Sequence, residues 1–271
     1  MHEHDWHDDF GGLQRDLRAT GAAMPRRALL GLAARLGVSL AAVPLLGCES
    51  STQPSDTPAT TGGSCNTRIP EETAGPFPGD GSNGPNVLPQ SGVVRSDIRS
   101  SFAGLTGTAD GVPLTLVLTI VSASSCAALA GRAVYVWHCD RPGRYSLYNA
   151  GVTNQNYLRG VQEADANGRV TFTTIFPGCY AGRWPHIHFE VYPSLQAAAS
   201  VAAKVATSQV ALPKSACDLV YATAGYESSA TNLSQVSLAS DMVFSDGAAL
   251  ELATVTGTVA SGLTATLTVA I

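Results

Sequence analysis

The sequence predicts an all-β fold, an antiparallel β-sandwich with long loops and few short helices. Three observations carry this. Apolar residues come in short runs with an alternating or β-branched pattern, such as Leu114–Ser122 (LTLVLTIVS) and Arg169–Phe176 (RVTFTTIF), which is the period of a strand and not of a helix. Gly, Pro and Asn turn signals separate the runs. The composition, with 27 glycines and 15 prolines against 14 % charged residues, suits a loop-rich β-domain more than a helical one. The 271 residues suffice for one domain of ordinary size, and the formal net charge of −5 gives no support for nucleic-acid binding.

The chain divides into a leader (1–47), a flexible tether (48–65) and the sandwich domain (66–271). Residues 1–25 are polar and read as an unstructured leader, although His2, His4 and His7 beside acidic residues could bind a metal weakly. Arg26-Arg27 before the short apolar run Ala28–Leu46 looks like a twin-arginine export signal. Arg35 and Pro44 inside that run make it a poor spanning helix. Leu45-Leu46-Gly47-Cys48 resembles a lipobox, in which Cys48 carries lipid. The expected partners are therefore the twin-arginine export machinery and the membrane. The expected location is extracytoplasmic: lipid-anchored, or periplasmic or extracellular if Cys48 is not lipidated. Glu49–Ser64, rich in Ser, Thr and Pro, reads as the tether. Five cysteines remain beyond Cys48, and the sequence does not choose their pairing. A bridge at Cys179 could stiffen the loop around Tyr180; otherwise Cys179 is a buried thiol that packs.

Within the domain, residues 66–100 lack periodicity, and Arg95, Asp97 and Arg99 either pin this segment by ion pairs or form a solvated cluster. Strands are expected at Leu114–Ser122 and Ala133–His138. The latter leads into a Pro142-Gly143 turn that presents Tyr145. Asp165–Gly168 (DANG) predicts a type I′ hairpin turn into the strand Arg169–Phe176. Pro177-Gly178 breaks that strand before Tyr180. A strand from His186, another over Lys204–Leu212, a short helix within Pro213–Thr223 and a closing hairpin around Ser261-Gly262 complete the domain. Tyr148 and Tyr157 either line a pocket or pack.

His186 and His188, in P-H-I-H-F, lie two apart on a strand, so their imidazoles share one face. Two histidines do not make a site. Glu190 shares their face but sits at its far end, and no cysteine spacing gives a tight zinc cluster. The remaining nearby donors are phenols, Tyr180 and Tyr145. A phenolate is a hard anionic ligand, known on haem iron, and a phenol of pKa about 10 must lose its proton to bind. Fe(III) can drive that; Ca and Mg cannot. Two phenolates and two imidazoles therefore suit one ferric ion.

The pieces LAGRAVYVWHCDRPGRYS (129–146), LRGVQEADANGRVTFTTIFPGCY (158–180) and GRWPHIHF (182–189) resemble the intradiol ring-cleavage dioxygenases of the catechol and protocatechuate type, over roughly residues 66–246. The resemblance implies non-haem Fe(III), one per chain, held by Tyr145, Tyr180, His186 and His188. It implies O2-dependent cleavage of a catechol-type diol to a cis,cis-muconate type diacid, with Tyr180 leaving the metal as a base when substrate binds. The family's arginine falls on Arg183, which would stabilise anionic ring character or else only orient its loop by a salt bridge. The family's glutamine falls on Gln209, which would bond substrate or a ligand or else serve as a buried structural amide. No helical dimerisation region like that of the catechol-type members precedes the core. Two alternatives stand beside this function: a non-catalytic exported sandwich module that binds carbohydrate or protein, and an iron-binding protein with other oxidative chemistry.

Overall fold

The computed structural model describes residues 65–271; the segments expected to be a leader and most of a tether lie outside the described residues. Eight strands form the sandwich: β1 (Pro113–Val121), β2 (Ala133–Trp137), β3 (Arg159–Glu163), β4 (Arg169–Ile175), β5 (His186–Tyr192), β6 (Ala206–Ala211), β7 (Thr254–Thr258) and β8 (Gly262–Ala270). They make two four-stranded sheets, ordered β4-β1-β8-β7 and β3-β2-β5-β6. Two short helices, α1 (Lys214–Tyr221) and α2 (Glu227–Leu233), and a few 3₁₀ turns complete the described elements. None of these helices is long and apolar enough to cross a membrane.

Strand alternation builds the core. Leu114, Leu116, Leu118 and Ile120 of β1 face Val134 and Val136 of β2 and Ile187, Phe189 and Val191 of β5, all buried in one cluster. The opposite face of β3-β2-β5-β6 is buried too, beneath loops, in a second cluster that includes Tyr135, Trp137, Tyr145 and Tyr192. The five expected strands, the short helix and the closing hairpin all form, the strands within two residues of their expected bounds. The pairing is antiparallel with one exception: β1 and β8 run parallel. These two strands lie at opposite ends of the domain, so no tight turn dictates their direction.

The DANG turn departs from expectation. β3 and β4, which it joins, belong to different sheets, so it is a crossover corner and not a ladder hairpin. Type I′ needs a positive φ at both central residues, and here Gly168 is the only residue of the four with one (φ 73°). The Asp165 carboxylate organises the corner by accepting from Asn167 N at 2.8 Å and Arg169 N at 2.9 Å.

The segment around Arg95 straps the two sheets together. Arg95 N and Val93 O pair with Val161 of β3, while Ile98 N and Ser96 O pair with Thr173 of β4. Arg95 itself donates to the Arg159 carbonyl at 2.7 Å and lies 4.4 Å over the Phe102 ring. Asp97 and Arg99 form an exposed pair at 2.6 Å, worth little in water.

Cys65 and Cys126 form a disulfide, and Cys139, Cys179 and Cys217 are buried free thiols. Cys179 therefore packs instead of bridging. The expected partnerships with the membrane, through lipid on Cys48, and with the twin-arginine export machinery are withdrawn. The described cysteine nearest the leader, Cys65, is crosslinked and offers no free thiol to a lipid; Cys48 itself lies outside the described residues.

Candidate metal centre

The site forms where β5 begins and two loops return to it. β5 carries His186 and His188 on the loop-covered face, and both are buried, 2 % and 3 % exposed. Tyr145 stands just past the turn after β2. Its amide donates to the Asn149 side chain at 2.7 Å, and its ring is 1 % exposed. Tyr180 follows the Pro177-Gly178 break and is only partly buried. Gly178 is required there: a Cβ would lie 2.4 Å from the Arg141 carbonyl, so the two ligand loops touch through backbone alone.

Four donor atoms converge. Tyr145 Oη lies 3.4 Å from Tyr180 Oη and 3.3 Å from His186 Nε2, Tyr180 Oη lies 3.2 Å from the same nitrogen, and the two Nε2 atoms are 3.0 Å apart. Among the described residues no group of three or more His, Cys, Asp and Glu is arranged to hold a metal, so an ion here must use the phenols. The donor set fits one. Donors about 3 Å apart have the spacing of ligands sharing an ion at about 2 Å.

Electrostatics points the same way. Burial pushes the Tyr145 phenol well above its ordinary value and that of Tyr180 to about 12. Burial also drives His186 down to about 3 and His188 well below its usual range. The imidazoles are thus neutral and ready to donate lone pairs. The phenols keep their protons unless a strongly acidic cation displaces them, which favours a hard, highly charged ion. The His186 Nδ1–H donates to the Trp184 carbonyl at 2.5 Å, which leaves the Nε2 lone pair facing the site.

Arg183 is 4 % exposed. Its Nε donates to Asp241 at 2.9 Å and its Nη2 to Gln209 Oε1 at 2.7 Å. The orienting salt bridge allowed for in the sequence is therefore present. Gln209, paired with His188 across β5 and β6, gives its amide hydrogen to the Thr73 carbonyl at 2.9 Å, so both of its polar ends are bonded within the protein. Thr73 begins a mouth segment that runs over the site. Gly75 (φ 69°) passes so close that a Cβ would lie 3.4 Å from His188 Cε1, and the Phe77 ring lies 5.0 Å from Tyr145 and 5.2 Å from Tyr148. Tyr148 thus helps wall the mouth, whereas Tyr157 packs, 5 % exposed, with its hydroxyl on Asp140.

Asp241 and Arg159 were not found from the sequence. Asp241 is buried and also accepts from the backbone amides of Trp184, Val243 and Phe244 at 2.6, 2.8 and 3.1 Å. Arg159, 1 % exposed, donates to carbonyls of Phe77, Pro78 and Ser146 and to hydroxyls of Tyr135 and Ser146. It thereby ties the mouth segment to the chain beside Tyr145. Asp241 lies in an irregular segment with no periodic mark, and Arg159 opens the short strand β3 as a single charged residue whose partners are all distant in sequence, so neither had a local signal to find.

The family model described as "Dioxygenase" matches residues 84–200. Among solved structures, an intradiol ring-cleavage dioxygenase from Tetranychus urticae is 22 % identical, with 76 % of this chain and 94 % of that one covered and a TM-score of 0.58. A second structure, described as a dioxygenase, is 23 % identical over the same shares with a TM-score of 0.59. No curated protein matches. The described chain has the fold of an intradiol ring-cleavage dioxygenase, and its sequence is similar to the dioxygenase family through the strands that build the site.

Proposed function

We propose that the protein is an intradiol dioxygenase that opens a catechol-type diol between its two hydroxylated carbons with O2, giving a cis,cis-muconate type diacid. Tyr145, Tyr180, His186 and His188 would hold one Fe(III). The observation that carries this is the convergence of two phenol oxygens and two imidazole nitrogens within 3.0–3.4 Å of their neighbours. When bound, Fe(III) would supply the Lewis acidity that draws charge from the diol and makes its ring reactive toward O2.

The chain's own residues do the rest. His186 and His188 stay neutral and fixed on a strand. Tyr180 is less enclosed than Tyr145 and is followed by the exposed Ala181 and Gly182, so its phenolate is the one able to swing away and take a proton from an incoming diol hydroxyl. Arg183 keeps its charge. Its Nη1 makes no hydrogen bond among the described residues and remains free to face an anionic ring. Phe77 and Tyr148 close the mouth against water. We also place the protein in an oxidising compartment outside the cytoplasm, for which the Cys65–Cys126 crosslink is the support.

Metal analysis, visible spectroscopy and O2 uptake with catechol test the function together. The expected result is one iron per chain, a visible phenolate-to-iron band, and O2 consumed in step with diol. Stoichiometric zinc with no iron and no band overturns it. Iron and colour without turnover would favour other oxidative chemistry.

A further inference from the structure

The two histidines of the donor set are held by different means. His186 is tied through its outer nitrogen to the Trp184 carbonyl, the usual arrangement for a ligand histidine. His188 has no such tie: its Nδ1 is buried and has no hydrogen-bond partner among the described residues. What it has is the indole of Trp137, stacked face to face with ring centroids 4.8 Å apart and planes within 6°. The sheet delivers this contact, because Trp137 of β2 is the cross-strand partner of His188 in β5. Tyr135, two residues back on the same sheet face, also stacks on the indole, with centroids 5.0 Å apart and planes within 22°. Its hydroxyl is fixed in turn by the Pro78 carbonyl at 2.7 Å and by Arg159 at 3.2 Å. Both Tyr135 and Trp137 are fully buried, so the column cannot splay toward solvent.

We propose that Trp137 is a positioning residue for the metal centre: its indole, braced by Tyr135, sets the plane of the His188 imidazole in place of the hydrogen bond that His188 lacks. This role rests on the ferric site proposed above. A hydrogen bond at Nδ1 resists both tilting of the ring and its rotation in plane. A stack resists tilting only, and Gly75, against the Cε1 edge, limits the remaining motion. His188 is then the nitrogen ligand whose grip on the ion depends on packing, while His186 depends on the backbone.

The test compares Trp137→Phe with Trp137→Met. The two replacements have similar volume and should lose similar packing, but only phenylalanine keeps an aromatic face. Fe(III) is loaded into each folded variant, and its loss to a competing chelator is followed through the visible band. Trp137→Met should bind iron about 10- to 100-fold more weakly, as expected when the support of a ligand histidine is removed, with a shifted band. Trp137→Phe should stay within a few-fold of the unmutated protein. Equal affinities and spectra in the two variants overturn the role while leaving the metal centre intact. An unmutated protein that binds no iron overturns the metal centre itself. Should either variant fail to fold, the metal-free unmutated protein decides by NMR: the His188 ring protons must be shifted upfield by the indole, and unshifted resonances overturn the stack.

Discussion

The two sheets have four strands each and very different chemistry. In β4-β1-β8-β7 one face enters the core and the other is largely threonine: Thr115 and Thr119 on β1, Thr171 and Thr173 on β4, Thr264, Thr266 and Thr268 on β8. Edge strand β7 is almost entirely exposed. In β3-β2-β5-β6, every residue of β2, β5 and β6 is buried, yet the loop-covered face carries His186, His188, Glu190, Thr207, Gln209 and Arg159. A sheet wetted on one side is stabilised by alternation alone. A sheet covered on both sides can hold polar groups away from water, provided each finds a partner. Three of the few buried polar atoms without one, Trp137 Nε1, His188 Nδ1 and Thr207 Oγ1, lie on that face. Local rules are broken where the site is, and the other sheet supplies the scaffold.

The largest expected effect is on the site. Tyr180→Phe should lower ring-cleavage turnover by about 100- to 10,000-fold, the usual worth of a general base, while retaining part of its iron. Tyr145→Phe should weaken iron binding itself. Iron content, visible spectra and steady-state kinetics under one set of conditions check both, and wild-type turnover in Tyr180→Phe would remove its role as a base.

Asp241→Ala comes next, because it leaves the Arg183 charge buried and unpaired. The expected loss is about 3–5 kcal/mol of stability, read from urea unfolding, together with reduced turnover in the protein that remains folded. Leu116→Ala, fully buried in the scaffold sheet, should cost about 2–5 kcal/mol with the visible band of the iron-loaded protein unchanged. A spectral change there would show that the two sheets are not separable.

A smaller effect is set by pH. Burial raises the Glu251 carboxyl to about 8, with the Glu72 charge adding to the shift, and burial raises Glu72 to about 7. Both residues flank β6: the Glu251 carboxyl accepts from the Ser208 hydroxyl, and the Glu72 backbone amide donates to the Thr207 carbonyl. A folded value above the unfolded one means that the folded state holds the proton more tightly. This contribution is therefore complete below about pH 4.5 and is lost as pH rises through 7 to 8. Glu251→Gln should flatten the fall in unfolding free energy between pH 5.5 and 8.5, and an unchanged slope would show that Glu251 is ionised in the fold. Smallest of all, Asp97→Asn breaks an exposed ion pair and should cost no more than about 0.2–1 kcal/mol in the same unfolding assay.

Much of this molecule is local and was legible. Strand periodicity marked β1, β4 and β8, the His-Ile-His spacing placed two imidazoles on one face, and Pro-Gly breaks located both tyrosine loops. The DANG sequence announced a turn but not its type, because the Asp165 carboxylate and the change of sheet override the Asn-Gly preference.

The sequence by itself determined the donor types, the strands that carry them and the class of fold, since these depend on residue chemistry and on periods of a few residues. Tertiary structure decided what those donors meet. Asp241 reaches Arg183 across 58 positions, Arg159 reaches Phe77 across 82, and the register of β2 against β5 sets Trp137 on His188. No local pattern encodes such pairs, because they arise only when separate segments are packed into one buried space and each polar group must find a partner there.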